Sequence, residues 1–211
     1  MDVRCLTVGP IQENCWIVRS EGADRALVVD PGEEPERIER TLAELGVTVD
    51  AILLTHTHFD HVGAVAPLAR ATGAPVYCPR LEVPILQDIN RYTFPGFGPY
   101  EPYDPEETVD GGERLRLAGC EIDVLFTPGH SPGHVSYSIA GERVLLSGDV
   151  LFRGSIGRTD LPGGDMATLM RSIATLLETL PDETRVLPGH MGATTLGHER
   201  ATNPFLQRAV A

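Results

Sequence analysis

The sequence predicts an α/β fold, a four-layer sandwich with two β-sheets face to face and helices on the outside. Three observations point there. Hydrophobic periodicity gives the order strands, helix, strand, helix, then strands, helix, strand, so each half places a helix beside a mostly antiparallel sheet. Four apolar strands run straight into a residue of metal-ligand type: LLTHTH at His58, LFTPGH at His130, LLSGD at Asp149 and VLPGH at His190. The 211 residues suit one domain, 1–211, with a sizeable core and no low-complexity stretch or linker.

Val3–Val8 and Cys15–Val18 read as strands joined by the turn GPIQEN, and Arg25–Asp30 as a third strand stopped by Pro31-Gly32. Pro35–Leu45 reads as a helix. Proline suits its first turn, Glu33, Glu34 and Glu36 favour the positive end of its dipole, and Gly46 ends it, with Ile38, Leu42 and Leu45 on one face. A short strand Ala51–Leu54, a helix Asp60–Arg70 and a strand Pro75–Tyr77 follow. The stretch Gln87–Tyr103 holds Tyr92, Phe94, Phe97, Tyr100 and Tyr103, five of the twelve aromatics (one Trp, five Tyr, six Phe), among prolines and glycines. That composition fits a lid or binding loop, and equally a loop packed on its own domain or on a partner subunit. Strands resume at Glu113–Ala118, Glu121–Phe126, Val135–Ile139 and Arg143–Leu146. After Asp165, the residues Met166, Leu169, Met170, Ile173, Leu176, Leu177 and Leu180 recur at helical spacing, which assigns the methionines to the core. Pro181 closes this helix and Thr184–Leu187 is the last strand.

Composition removes several functions. A formal charge of −13, from 17 Lys+Arg against 30 Asp+Glu, repels nucleic acid and anionic membranes, and no basic patch opposes it. No segment approaches a membrane span, and MDVRCLTVGPIQENC lacks the basic start and apolar run of a signal peptide, so a cytoplasmic protein is expected. Cys5, Cys15, Cys78 and Cys120 lack CxxC spacing and read as free thiols, Cys15 and Cys120 in the core.

The chemistry concentrates in AILLTHTHFDHVG. His56, His58, Asp60 and His61, four ligand-type residues, fall within six positions. On an extended segment His56 and His58 point the same way, and Asp60 and His61, at a helix start, can aim at a second point. Imidazole suits Zn, Fe, Ni or Cu, and carboxylate adds a hard oxygen. One tetrahedral ion cannot easily take all four from so short a segment; two adjacent ions can. With the other strand ends the tally is His56, His58, Asp60, His61, His130, Asp149 and His190, which suits two ions sharing one carboxylate and one water. Asp149, from the second half of the chain, is the natural bridge. His134 reads as a supporting or packing residue, and His198 as a surface or capping residue. Asp30 reads either as a hydrogen-bond partner beneath a ligand or as a turn residue.

THTHFDH, TPGHSPGH, SGD and PGH in this order resemble the metallo-β-lactamase superfamily over essentially the whole chain. FRGSIGRTDLPGGD and TTLGHERATNPFLQ resemble, more narrowly, the short bacterial glyoxalase II-like hydrolases, the single-domain hydroxyacylglutathione hydrolases. The resemblance implies an αββα sandwich of two mixed sheets. It implies one metal held by His56, His58 and His130, a second held by Asp60, His61 and His190, and Asp149 bridging. The ions are two divalent metals, zinc first, with iron or manganese as alternatives. Only 21 residues follow His190, fewer than the C-terminal helical domain of full-length glyoxalase II, which leaves the thiol half of the substrate open. In those enzymes a lysine of the loop after the bridging aspartate helps bind the glutathione carboxylate. Arg158, in VLFRGSIGRTD, stands at the matching place, as a substrate ligand or as the partner of Asp160 or Asp165.

The leading reading is a thioester hydrolase acting on a small-molecule thioester of the hydroxyacylglutathione type. Two cations bring the pKa of a water between them to about 7, and the resulting hydroxide attacks the thioester carbonyl. The thiol, with an ordinary pKa of about 8.5, leaves as thiolate without a strong general acid. Asp60 ligates and orients the hydroxide, and Tyr92 and Phe94 are expected to wall the substrate pocket. The alternatives are a mononuclear Fe(II) persulfide dioxygenase built on His56, His130 and Asp149, and a lactone or ester hydrolase of the same fold. The sequence sets no oligomeric state.

Overall fold

Apolar runs in the central strands point alternately to two different cores, and that alternation produces the layers. The structure, a computed structural model, describes residues 1–208. The first sheet contains β1 (Asp2–Val8), β2 (Glu13–Arg19), β3 (Arg25–Val29), β4 (Thr48–Leu53), β5 (Val76–Pro79) and β6 (Glu107–Val109), paired in that order. Between β3 and β4 lies α1 (Pro35–Leu45); α2 (Phe59–Val62) and α3 (Val65–Thr72) precede β5; α4 (Val83–Gln87) and α5 (Ile89–Tyr92) follow it. The second half supplies β7 (Arg114–Leu117), β8 (Cys120–Phe126), β9 (Val135–Ile139), β10 (Val144–Gly148), a small ribbon of β11 (Leu151–Phe152) and β12 (Ser155–Ile156), α6 (Met166–Thr179), β13 (Arg185–Pro188), β14 (Thr194–Thr195), α7 (Leu196–Thr202) and α8 (Pro204–Arg208). The second sheet has the order β14-β13-β10-β9-β8-β7.

Period two along each central strand divides its side chains. In β3, Ala26 and Val28 join a core under α1 and α3, while Leu27 and Val29 enter the space between the sheets. In β4, Ile52 faces the first core and Ala51 and Leu53 the second. In β10, Val144 and Leu146 face the inter-sheet core and Leu145 faces α6, against Leu169, Ile173 and Leu176. These strands are apolar on both faces because both faces are covered. The four-layer sandwich of the sequence reading is present, with one difference. The first sheet is parallel from β3 to β6, because each of those connections carries a helix and crosses over. The second sheet is parallel only at β10–β13, across α6.

Local departures have identifiable causes. The helix expected over Asp60–Arg70 is two helices. The Ala64 amide donates to the Pro31 carbonyl at 3.0 Å instead of continuing the ladder. Gly63 packs there so closely that a Cβ would lie 2.4 Å from the Gly32 carbonyl oxygen. β2 begins at Glu13, inside the expected turn. Met166, the first residue of α6, is 46% exposed rather than core. The stretch Gln87–Tyr103 opens with a helical turn, and its aromatics divide: Phe97, Tyr100 and Tyr103 pack on the first core, whereas Tyr92 and Phe94 stay about half exposed. Cys15, Cys78 and Cys120 are buried, Cys5 is exposed, and all four are free. Among the described residues no helix is long and apolar enough to cross a membrane.

Candidate metal centre

Strand direction brings the ligand-type residues together. β8 and β10 are both antiparallel to β9, and β13 is parallel to β10, so the C-terminal ends of β8, β10 and β13 share one edge. His130, Asp149 and His190 leave that edge. β4 of the other sheet ends beside it, where the Val135 amide donates to the Thr55 carbonyl at 2.9 Å. This places His56, His58, Asp60 and His61 opposite. Two bonds from β2 hold the turn before His190: the Asn14 amide donates to Gly189 O at 2.7 Å, and Trp16 Nε1 to Pro188 O at 3.0 Å. Gly189 is sterically required, because a Cβ would lie 2.2 Å from Asp149 Oδ1.

All seven residues converge, in two groups of three with Asp149 between them. His56, His58 and His130 offer ring nitrogens to one point: His58 Nδ1 lies 3.1 Å from His56 Nε2 and 2.8 Å from His130 Nε2. Asp60, His61 and His190 form the second group, with Asp60 Oδ2 at 3.2 Å from His190 Nε2 and 3.9 Å from His61 Nε2. Asp149 Oδ1 lies 3.5 Å from His61 Nε2, while Oδ2 lies 3.5 Å from His130 Nε2 and 3.6 Å from His190 Nε2.

The partners on the far side of each ring set its tautomer. The Thr55 hydroxyl donates to Asp30 Oδ2 at 2.7 Å, so His56 Nδ1–H, 3.0 Å away, donates to that hydroxyl oxygen. His130 Nδ1–H donates to the Arg158 carbonyl at 2.8 Å, and His61 Nδ1–H to Asp30 Oδ2 at 3.1 Å. Each of these rings therefore turns its Nε2 into the centre. Burial and the adjacent His130 push His58 down to about 3. Burial and the neighbouring imidazoles hold His56 well below the usual histidine range. In the second group burial would lower His61, but the Asp149 and Asp60 carboxylates raise it well above. His190 is raised too, by Asp60 and Asp149 against burial. Burial opposes ionisation of Asp149, and the surrounding histidines, His61 first, outweigh it and lower its pKa. His61 Nε2 and Asp149 Oδ1 are buried without a hydrogen-bond partner, an arrangement that costs several kcal/mol in a dry interior unless something else is ligated. Nitrogen donors with two hard carboxylates fit a pair of borderline divalent cations.

The remaining candidates take distinct positions. His134 uses both ring nitrogens: Nε2 accepts the Asp149 amide at 3.1 Å, and Nδ1 bonds the Thr127 hydroxyl at 3.0 Å. It holds the Asp149 backbone from behind. Asp30 is the hydrogen-bond partner beneath His61 rather than a bare turn residue. His198 is exposed on α7 and belongs neither to the ligand groups nor to the cavity lining. Arg158 lies at the cavity rim, its side chain bidentate to Asp160 at 2.7 and 2.8 Å. Tyr92 and Phe94 line the same cavity.

Two buried acids escaped sequence reasoning. The Glu82 carboxylate accepts Thr57 Oγ1 at 2.8 Å, the Thr57 amide at 3.3 Å, Ser131 Oγ at 2.7 Å and the Gly133 amide at 2.8 Å. It thereby ties the His56–His58 segment to the His130 loop. Glu13 is 1% exposed, with Oε1 at 3.8 Å from His61 Nδ1. Burial drives its carboxyl well above the usual range, against the pull of His61. Neither acid sits in a motif or follows a ligand-bearing strand.

Comparison with known proteins places these findings in a family. The model of the Metallo-beta-lactamase superfamily matches residues 8–190. A probable metallo-hydrolase of Bacillus subtilis, YqgX, is 41% identical over 98% of both chains. Hydroxyacylglutathione hydrolase GloC of Haemophilus influenzae is 36% identical, also over 98% of both. Among solved structures, the BLEG-1 B3 metallo-beta-lactamase superposes with TM-score 0.91 at 39% identity, covering 97% of this chain and 99% of that one. TTHA1623 in a di-iron-bound form gives 0.83 at 44%, covering 96% and 100%. ETHE1 from Myxococcus xanthus gives 0.77 at 28%, covering 97% and 84%.

Proposed function

The chain belongs to the metallo-beta-lactamase superfamily and carries a metallo-hydrolase's His/Asp metal-binding cluster; from that premise we propose that it is a binuclear thioester hydrolase of the hydroxyacylglutathione type. One observation carries the reading: two groups of three donors face each other across a single buried carboxylate, each oxygen of which has its own imidazole neighbours. His56, His58 and His130 would hold one divalent ion and Asp60, His61 and His190 the other, with Asp149 within reach of both groups. Zinc suits the donor set; iron or manganese would also be held by it. The di-iron form of TTHA1623 and the 36% identity to GloC support the pairing of two ions with this substrate class.

When bound, two such ions supply Lewis acidity, which acidifies water and polarises a carbonyl oxygen. The protein does the rest. Thr55 and the Arg158 carbonyl hold His56 and His130 in the ligating tautomer, and Asp30 fixes the His61 ring so that its Nε2 faces the centre. Asp60, which lines the cavity and is partly exposed, would orient an incoming water by accepting a hydrogen bond from it. Burial raises the Asp60 carboxyl and His61 and His190 lower it, with the lowering dominant, so it accepts rather than donates at neutral pH. Tyr92 and Phe94 wall the cavity, and Arg158 stands at its rim as the candidate contact for an anionic end of the substrate.

The test is thiol release from a panel of thioesters by protein reconstituted with Zn, Mn or Fe. Turnover that rises to saturation at two metal equivalents is expected. Absence of turnover on every thioester would overturn the reading. A second reading stands on the likeness to ETHE1: a mononuclear Fe(II) persulfide dioxygenase using His56, His130 and Asp149. An oxygen electrode with a persulfide substrate separates the two.

A further inference from the structure

Above the metal-ligand residues opens a cavity of about 790 Å³. Eight large apolar side chains are exposed among the described residues, and four of them, Ile11, Tyr92, Phe94 and Met191, stand around this one cavity. Apolar side chains exposed singly need no explanation; several around one opening mark a place where something apolar binds. The four come from three unconnected parts of the chain: the turn after β1, the end of α5 and the segment after it, and the residue following His190. No single helix or strand pattern accounts for their meeting. Met191 adopts φ 67°, a left-handed conformation unfavourable to a residue with a Cβ, and Asn14 Nδ2 pins it there by donating to its carbonyl at 2.7 Å. Deeper in, Phe152 and Ile156 of the β11–β12 ribbon continue the apolar wall.

Charge in the cavity is confined to its floor and to two arginines. Arg158 commits Nε and one terminal nitrogen to Asp160. Arg91 lies with its guanidinium 6.0 Å from the centre of the Tyr92 ring. This is sparse provision for a highly charged ligand and ample provision for a ring or a branched chain.

We infer, resting on the thioester reading above, that the acyl arm of the substrate is apolar: an aryl- or branched-alkyl-bearing 2-hydroxyacyl thioester in preference to the smallest 2-hydroxyacyl one. The reaction is R–CO–SR′ + H2O → R–COO⁻ + H⁺ + R′–SH. A C–O bond forms, the C–S bond breaks, the thiolate takes up a proton and nothing is oxidised. The group R lies among Phe94, Tyr92, Met191 and Ile11, and its burial contributes to kcat/KM.

The experiment compares 2-hydroxypropanoyl and 2-hydroxy-2-phenylacetyl thioesters, each on glutathione and on N-acetylcysteamine, with the metal-reconstituted protein. Full burial gives about fourfold for each methylene-sized group, so the phenyl compound should exceed the methyl one by at least about tenfold in kcat/KM on both thiols. A paired Phe94→Ser and Met191→Ser variant, altered only at exposed positions, should reduce that ratio at least about threefold. Equal rates for methyl and phenyl compounds, or a preference for methyl, with thioester hydrolysis intact, would overturn this inference and leave the hydrolase reading standing. Isothermal titration with the phenyl-bearing thioether, which cannot be hydrolysed, covers the remaining case. If no thioester is cleaved but the thioether binds at least tenfold more tightly than its methyl counterpart, the apolar arm stands and the hydrolase reading falls. If neither cleavage nor such binding occurs, both fall.

Discussion

On one side of Asp149, His56, His58 and His130 present three ring nitrogens, with His56 backed by the Thr55 hydroxyl and His130 by the Arg158 carbonyl. On the other side, His61 and His190 are interleaved with the Asp60 carboxylate, and His61 is backed by Asp30 with Glu13 beyond it. The two positions are therefore inequivalent. The first is softer and carries no charge of its own; the second is harder and more basic, because carboxylates favour protonated imidazole there. Their supports differ in part. Glu82 joins the two loops of the nitrogen-only group, and Glu13 of β2 lies beside the acid-rich group, whereas Asp30, just after β3, stands under both, through Thr55 to His56 and directly to His61.

Asp149 belongs to both sides, and its loss should have the largest effect. Asp149→Ala should lower kcat/KM by about a thousandfold or more and release at least one metal equivalent, read by elemental analysis. Full metal retention would break the bridging assignment. His134→Ala sharpens the same point: it should leave metal content near that of the wild type, and loss of a whole equivalent would make His134 a ligand.

Glu82 tests one side alone. Glu82→Gln puts a donor among four donors, so it should weaken metal held by His56, His58 and His130 by about 10- to 100-fold in chelator competition. The melting temperature should fall as well, since a buried unsatisfied group costs about 1–3 kcal/mol. Equal weakening of both metals would mean that the sides are not independently supported.

Proton titration compares the sides directly. In metal-free protein followed by NMR, His61 and His190 should titrate above their ordinary value and His58 near 3, with His56 also below the ordinary range. The linkage signs are opposite. His61 and His190 contribute stability that is complete below the unfolded pKa of about 6.5 and is lost as pH rises through their folded values. His56 and His58 contribute stability present above about 6.5 and lost as pH falls through theirs. A common pKa for all four would erase the distinction. The smallest effect belongs to Arg158→Met. Its ion pair with Asp160 is exposed, so the melting temperature should move by no more than about 2 °C. A substrate role for Arg158 would raise KM for an anionic thioester and not for a neutral one; equal losses on both would leave it a loop anchor.

The ligand-type residues were legible because each follows an apolar run at a strand end, where local pattern and chemistry coincide. The layers were legible for a related reason: strands apolar on both faces need two covers. What the sequence concealed depends on contacts between distant segments. Glu82, in RLEVP, resembles a solvated acid at a helix start; Thr57 lies 25 residues before it and Ser131 49 after, and only the fold unites them. Glu13 looked like part of a turn. The apolar spacing runs through Val62, Val65, Ala66, Leu68 and Ala69 without interruption, yet the helix breaks, because the Pro31 carbonyl takes the Ala64 amide. Strands of two residues, such as β11 and β12, are too short to carry a period.

Metal stoichiometry measured together with substrate chemistry tests the central claim most directly. Protein purified without chelator should approach two divalent ions per chain, with zinc sustaining thioester hydrolysis. A reproducible single iron that zinc cannot replace, accompanied by oxygen uptake on a persulfide, would contradict the account.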